Sequence, residues 1–222
     1  MFQRALSLFI AFAFVGSASA LAAPAKLSDK PIGAEVQFVQ SIQKDLTARF
    51  PTAAAATAAG YTRYTNEDNT GAISYANLHW SSSDPKHPSQ LWYDVNGNLL
   101  GADFSVLQKD SPAKPKLWGI NAQRWQDFNA HIHYVLKDAD GKPSYGATSG
   151  KKFIGAGGDV NNPTAAALVK LGRVKAADAV QTVFVFPKLW DLIVWVKPNP
   201  NGAFADKNPL VHPSPTAEKD SM

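Results

Sequence analysis

Short segments of alternating polar and apolar residues, divided by turn residues, follow one another from Tyr61 onward and limit the fold most strongly. The clearest pair is residues 90–95 and residues 99–106, joined by Asn96-Gly97. This dipeptide accepts positive φ at both central positions of a type I′ turn and predicts a tight hairpin. Because parallel strands need a longer crossover, turns of this length favour antiparallel pairing.

Other segments rich in aromatic and β-branched residues predict further strands. They are residues 61–65, 73–81, 127–136 (with a start as early as 125), 144–148, 182–186 and 189–196. The turn between residues 127–136 and 144–148 lies at 138–141, where the sequence is Asp-Ala-Asp-Gly. The central and C-terminal parts of the chain are therefore expected to be mainly β.

Helical patterns occur in three places. Residues 33–50 carry an apolar stripe at spacings of three and four, which predicts an amphipathic helix. Residues 52–59 are rich in alanine and end at Gly60, and residues 164–171 follow Asn162-Pro163, a helix-starting pair. The sequence predicts an α+β fold, a mainly antiparallel sheet with N-terminal helices and one inserted helix. The alternative is a β-sandwich or barrel with peripheral helices.

The first twenty residues have the features of a secretory signal peptide. Arg4 precedes an apolar run at residues 5–15, and Ala18-Ser19-Ala20 supplies a signal-peptidase pattern with cleavage before Leu21. The run is shorter than the roughly 20 residues that span a bilayer. We expect a periplasmic or secreted soluble protein without a membrane span in its mature form. It would have a flexible lead-in at 21–32, one domain at 33–211 and a disordered tail at 212–222.

Composition narrows the chemistry. The chain has no cysteine, which excludes disulfides, thiolate zinc sites, iron–sulfur clusters and a cysteine nucleophile. Its net charge is +4, and removal of Arg4 with the signal would leave +3. Lys and Arg are scattered, with Lys151-Lys152 as the only adjacent pair, so a nucleic-acid partner is not expected.

Three histidines fall in predicted strands and form the candidate site. His131 and His133 lie two residues apart and share one strand face, opposite an apolar face formed by alternate residues. His79 lies in the predicted strand 73–81. Three imidazoles around an open position suit zinc or another transition metal, with Asp103, Asp127 or Asp191 as a fourth ligand or a hydrogen-bond partner of the histidines.

Asp191 is the only charged residue in the apolar run 189–196. An unpaired buried carboxylate is costly, so this residue is either a functional acid or lies on an edge strand with its side chain in water.

The leading hypothesis is an exported binding protein whose histidine-bearing sheet face binds a small ligand or a transition-metal ion. The alternatives are a metal-dependent hydrolase or lyase that uses the same trio, and a structural or oligomer-forming envelope protein without a small-molecule site. Strands around Trp92 and Trp195 carry apolar residues on both faces. Helices or a partner subunit must cover such a sheet, and a homo-oligomer is expected if the chain itself leaves one face uncovered.

Overall fold

The computed structural model describes residues 27–82, 84–137 and 140–218. The predicted signal peptide at 1–20 and residues 21–26 of the lead-in lie outside the described residues. So do 138–139 of the predicted turn and the last four residues of the predicted tail. Within the described ranges no helix combines the length and apolar character that crossing a membrane requires.

The described residues form four helices, nine strands and two 3₁₀ turns, at Ala122–Arg124 and Ala177–Ala179. The helices are α1 (Ala34–Arg49), α2 (Ala53–Ala58), α3 (Gly150–Gly155) and α4 (Ala165–Lys170). The strands are β1 (Thr62–Arg63), β2 (Ile73–Ala76), β3 (Gln90–Tyr93), β4 (Leu99–Leu107), β5 (Gln126–Phe128), β6 (His131–Lys137), β7 (Pro143–Ser149), β8 (Val180–Phe186) and β9 (Leu189–Trp195). The predicted α+β class is confirmed.

The strands form two sheets in which every pairing is antiparallel. The large sheet has the order β1-β2-β3-β4-β9-β5, and the small sheet has the order β7-β6-β8. Helix α1 packs on one face of the large sheet through its predicted apolar stripe, in which Leu46 is fully buried. Each such fully buried side chain contributes roughly 1.5–3 kcal/mol of transfer free energy.

A bent two-stranded ribbon connects the sheets. Gln126 pairs with Asp191 in the large sheet, His131 pairs with Phe186 in the small one, and the register is the same on both sides of the bend. The strand predicted at 127–136 is therefore two strands, β5 and β6, interrupted at 129–130. In the neighbouring strand of the ribbon, Pro187 separates β8 from β9, because proline has no N–H to donate to the ladder. Strands that change sheets at a bend make the corners of packed β-structures.

Both faces of the large sheet are covered within the chain. Beyond α1, the opposite face contacts the small sheet, where Leu189 packs with Phe186, and the C-terminal segment, where Val211 packs with Trp92 and Trp195. The outer face of the small sheet packs against α3 and α4. The large sheet therefore needs no partner subunit to cover it.

Hydrogen bonds hold the C-terminal segment against distant parts of the chain. The backbone N–H of Phe204 donates to Asp29 O at 3.1 Å. Gly202 allows this approach, since its φ is +123° and a Cβ there would lie 2.2 Å from the same oxygen. Farther on, within the predicted tail, Ser214 N donates to Glu67 Oε1 at 2.7 Å.

Two local features differ from the sequence prediction. The predicted hairpin is confirmed, but its turn is not type I′, because Gly97 alone has positive φ there. The carboxylate of Asp94 accepts hydrogen bonds from the N–H groups of Asn96 and Asn98, both at 2.9 Å, and stabilises a longer turn. Helix α3 lies where no helix was predicted, and Ser149 Oγ caps it by accepting from Lys152 N at 3.3 Å.

Candidate functional site

The space between the two sheets brings together four of the predicted site residues. His131 and His133 project from β6, while Asp103 and Asp191 project from β4 and β9. Tyr64, just after β1, contacts His133 with its ring. It also lies close enough to Asp103 for the charge of that carboxylate to raise its pKa. We call this set of five residues the inter-sheet site.

His131 lies at the more open end of the site. Its Nδ1 is 2.9 Å from the carbonyl oxygen of Asn129, and its ring stacks on Phe186 with centroids 4.3 Å apart. A carbonyl can only accept, so Nδ1 carries the hydrogen and Nε2 carries a free lone pair when the ring is neutral. Burial lowers the pKa of His131, although the bond to Asn129 opposes this, which favours the neutral ring.

His133 is enclosed. Its exposed fraction is 4%, its ring stacks on Phe184 at 5.5 Å, and the ring of Tyr64 meets it edge-on at 4.7 Å. Burial, helped by the neighbouring His131, lowers the pKa of His133 to about 3. Both imidazoles, whose centroids are 4.9 Å apart, are thus neutral at physiological pH.

Asp103 and Asp191 form a buried carboxyl pair. Trp92 Nε1 donates to Asp103 Oδ2 at 2.8 Å, and Ser105 Oγ donates to Asp191 Oδ1 at 2.8 Å. Burial and the charge of Asp191 raise the pKa of Asp103 well above its usual range. Burial also raises the pKa of Asp191 to about 7, against hydrogen bonds with Ser105 and Asp103 that lower it.

A proton held between these carboxyl groups explains the remaining unsatisfied atom. Asp103 Oδ1 is buried and receives no N–H or O–H from any residue that the structure describes. The two carboxyl groups lie within hydrogen-bonding reach of each other, and two like charges this close cannot both be ionised cheaply. We therefore assign one shared proton to the pair near neutral pH.

Tyr64 and Gln90 connect the histidines to the acids. Gln90 lies directly opposite Asp103 in the β3–β4 register, and its Oε1 accepts a hydrogen bond from Tyr64 OH. Burial raises the pKa of Tyr64 well above its usual range, so its hydroxyl remains a donor. The site is accordingly a neutral, hydrogen-bonded interior at neutral pH apart from the single charge of the acid pair.

Half-buried aromatic side chains surround the open end. Trp80 lies 4.5 Å and Phe128 6.4 Å from the ring of Phe186, measured between centroids. Beside Trp80, Leu78 is 52% exposed and has φ +61°, a conformation that is rare for residues other than glycine. Such strained backbone costs about 1–3 kcal/mol and is often found at binding sites.

Two predicted site residues lie elsewhere. His79 is exposed in a loop, because β2 ends at Ala76 instead of continuing to 81. The side chain of Asn77 causes this end: its Oδ1 accepts from His79 N at 2.8 Å and its Nδ2 donates to Pro88 O at 3.0 Å. Asp127 is exposed and accepts from Gln108 Nε2 at 2.6 Å.

Asp191 is 3% exposed and lies on β9, between β4 and β5. The alternative of an edge strand with this side chain in water is therefore wrong. Among residues 27–82, 84–137 and 140–218, no group of three or more His, Asp or Glu side chains is arranged to hold a metal ion. The paired imidazoles are the only part of the expected trio that the fold places together.

Away from the inter-sheet site, an open cleft of about 380 Å³ lies beside the start of α1. Its acidic residue, Glu35, already bonds Arg124 Nη2 at 2.9 Å and Asn121 N at 3.1 Å. Hydrogen bonds from Arg124 and the backbone outweigh burial and lower the pKa of Glu35. The cleft thus offers no free charged group to a ligand.

The sequence prediction missed Tyr64, Gln90 and the aromatic residues around His131. Phe184 and Phe186 alternate along β8 in the same way as the histidines along β6, but only the cross-strand register shows that they are partners. Protein-family models, curated proteins and solved structures were all compared with this chain, and none matches it.

Proposed function

We propose that the mature chain is an exported, soluble binding protein that holds a small, planar, uncharged ligand at the open end of the inter-sheet site. Export rests on the signal-like residues 1–20. N-terminal sequencing of the protein recovered outside the cytoplasm tests this part, with Leu21 as the expected first residue. An N-terminus at Met1 would contradict it.

The state of His131 is the observation that carries the binding proposal. Its Nδ1–H is held by Asn129, so Nε2 is left as a hydrogen-bond acceptor on a ring whose orientation is fixed by stacking on Phe186. Trp80 and Phe128 offer aromatic surface next to this acceptor. Aromatic pairs of suitable geometry contribute about 0.5–1.5 kcal/mol beyond area burial.

The charge of the surroundings supports an uncharged ligand. His131 and His133 are neutral, and the carboxyl pair is enclosed behind Tyr64 and Gln90. The half-exposed residues Trp80, Phe128 and His131 carry no formal charge when the imidazole is neutral. A flat molecule with an N–H or O–H donor on its rim matches this combination of aromatic surface and single acceptor.

Indole and naphthalene are suitable probes because both are flat bicyclic molecules and only indole has an N–H. Calorimetric titration of the wild type is expected to show saturable binding of indole and weaker binding of naphthalene. His131→Phe keeps an aromatic ring but removes Nε2, so indole should bind about 2–12-fold more weakly, which corresponds to one hydrogen bond of 0.5–1.5 kcal/mol. Naphthalene binding should change little.

Two further variants locate the site. Trp80→Ala should weaken the binding of both probes, because it removes aromatic surface near Phe186. His87→Phe is the matched control, since His87 is exposed in a loop and its ring bonds Asp84 at 3.1 Å, away from the inter-sheet site. Equal indole affinity in wild type and His131→Phe, or no saturable binding, would overturn the proposal.

Zinc titration separates this function from the metal-dependent alternatives. Zinc binding that is lost in the His131→Ala/His133→Ala double variant would replace the planar-ligand proposal with a metal site. The expected result is no difference between this variant and wild type, because the described residues supply only two adjacent imidazoles.

A further inference from the structure

Strand β8 (Val180–Phe186) forms one end of the small sheet and pairs there only with β6. Along such a strand every second residue directs its N–H and C=O away from the neighbouring strand. In the described part of the chain, no backbone or side-chain group is hydrogen-bonded to the outer side of β8. The strand therefore presents a row of free donors and acceptors.

The opposite end of the same sheet is protected. Strand β7 begins at Pro143, and the side-chain amide of Asn66 donates to Tyr145 O at 2.9 Å, which occupies one of its outward carbonyls. Natural sheets protect their edges with proline, charged side chains, bulges or covering segments. The sequence of β8, Val-Gln-Thr-Val-Phe-Val-Phe, contains no charge and no proline.

Side chains on both faces of β8 are incompletely covered. Val183 and Val185 pack with the residues of the outer-face core, whereas Phe184 stacks on His133 on the other face. All three remain partly exposed, and Gln181 and Thr182 are exposed. A strand added at this edge would cover apolar surface on both faces in addition to binding the free backbone groups.

We propose that β8 pairs antiparallel with β8 of a second copy of this chain. An antiparallel strand pair of identical sequence is self-complementary about a twofold axis, so the contact closes at a dimer. The absence of charge on β8 means that two copies can approach without like-charge repulsion. The two small sheets would join into one six-stranded sheet with β7 at both ends, and β7 is the protected edge.

Sedimentation equilibrium of the mature chain at several concentrations tests the proposal. The wild type is expected to be in reversible monomer–dimer equilibrium, and Thr182→Lys to dimerise about tenfold more weakly, because lysines from both copies would meet near the axis. Ser144→Lys is the matched control, an exposed position of β7 in the same sheet. It should dimerise as the wild type does. A monomeric wild type, or a dimer equally weakened by both variants, would overturn the proposal.

The absence of cysteine allows a second measurement that does not depend on the stability of the lysine variants. Thr182→Cys should form a covalent dimer on mild oxidation, whereas Ser144→Cys, which keeps the β8 contact but places its thiol on β7, should not be cross-linked. Circular dichroism of each reduced variant checks that the fold is intact. Cross-linking of both variants to the same extent would indicate random collision and contradict a specific β8 contact.

Discussion

The carboxyl groups of Asp103 on β4 and Asp191 on β9 lie within hydrogen-bonding distance of each other between the sheets, although 87 residues separate them in the chain. Trp92 and Ser105 each donate to one member of the pair. A single proton between the acids satisfies the remaining buried oxygen. The interior of the protein is thereby sensitive to pH in a range where most surface carboxylates are already ionised.

The first prediction concerns the loss of stability as the pH rises from 4 to 8. The pKa of Asp191 is about 7 in the folded chain against 3.8 as the ordinary value, so its contribution is complete below about pH 4 and is lost as pH rises through 7. The loss is on the order of 4 kcal/mol, since each unit corresponds to about 1.4 kcal/mol. Urea unfolding of wild type and Asp191→Asn from pH 4 to 8 measures it. The variant keeps Asp103 but has no carboxyl group at position 191, so the difference in stability between the two proteins should change with pH. A pH-independent difference would contradict the raised pKa of Asp191.

The second prediction concerns His133 and has the opposite sign. Because burial lowers its folded pKa to about 3 from 6.5, its contribution is complete above pH 6.5 and is lost as pH falls towards 3. The loss is on the order of 5 kcal/mol. His133→Phe removes the titration, so the wild type should lose stability relative to this variant between pH 6.5 and pH 3. His87→Phe, at an exposed position, should follow the wild type throughout.

The third prediction concerns the link between Tyr64 and Gln90. Tyr64→Phe removes the hydroxyl and leaves Gln90 Oε1 buried without its donor, which should lower the free energy of unfolding by about 1–3 kcal/mol. Gln90→Met in the same background removes the unsatisfied amide and should recover part of that loss. If the double variant loses more free energy of unfolding than the two single variants lose together, the hydrogen bond is not the source of the effect.

The fourth prediction concerns the buried ion pair at the start of α1. Arg124 and Glu35 have side chains only 3% and 2% exposed, and Arg124 also donates to Lys30 O at 2.9 Å. Arg124→Met leaves Glu35 charged and unpaired, so a loss of about 3–5 kcal/mol is expected by urea unfolding. The exposed pair Arg49–Asp45 provides the control, and Arg49→Met should cost less than about 1 kcal/mol. Similar losses in the two variants would contradict this difference in burial.

Local patterns predicted the elements whose stability is decided within a few residues. The apolar stripe of α1 and the hairpin of β3 and β4 are confirmed, because side-chain period and turn residues determine them directly. Competition between local hydrogen bonds explains the differences. Asn77 ends β2 early and removes His79 from the strand, and Asp94 changes the predicted turn.

The candidate site was predictable only in part. Alternation along one strand correctly placed His131 and His133 on the same side, and the unusual acid in an apolar run identified Asp191. The partnership of Asp191 with Asp103 depends on the pairing of β4 with β9, and no feature of either segment encodes that register alone. Tyr64 was overlooked for the same reason, since its contacts come entirely from other strands.

The bend between the sheets gives the protein a mechanical property. Two neighbouring strands pass through it side by side, at 129–130 and at 187–188, and their register is unchanged beyond it. Because both strands keep the same pairing before and after the bend, one sheet cannot slide past the other along the strands without breaking this ladder. The bend therefore fixes the position along the strands at which the histidines of the small sheet face the acids of the large one.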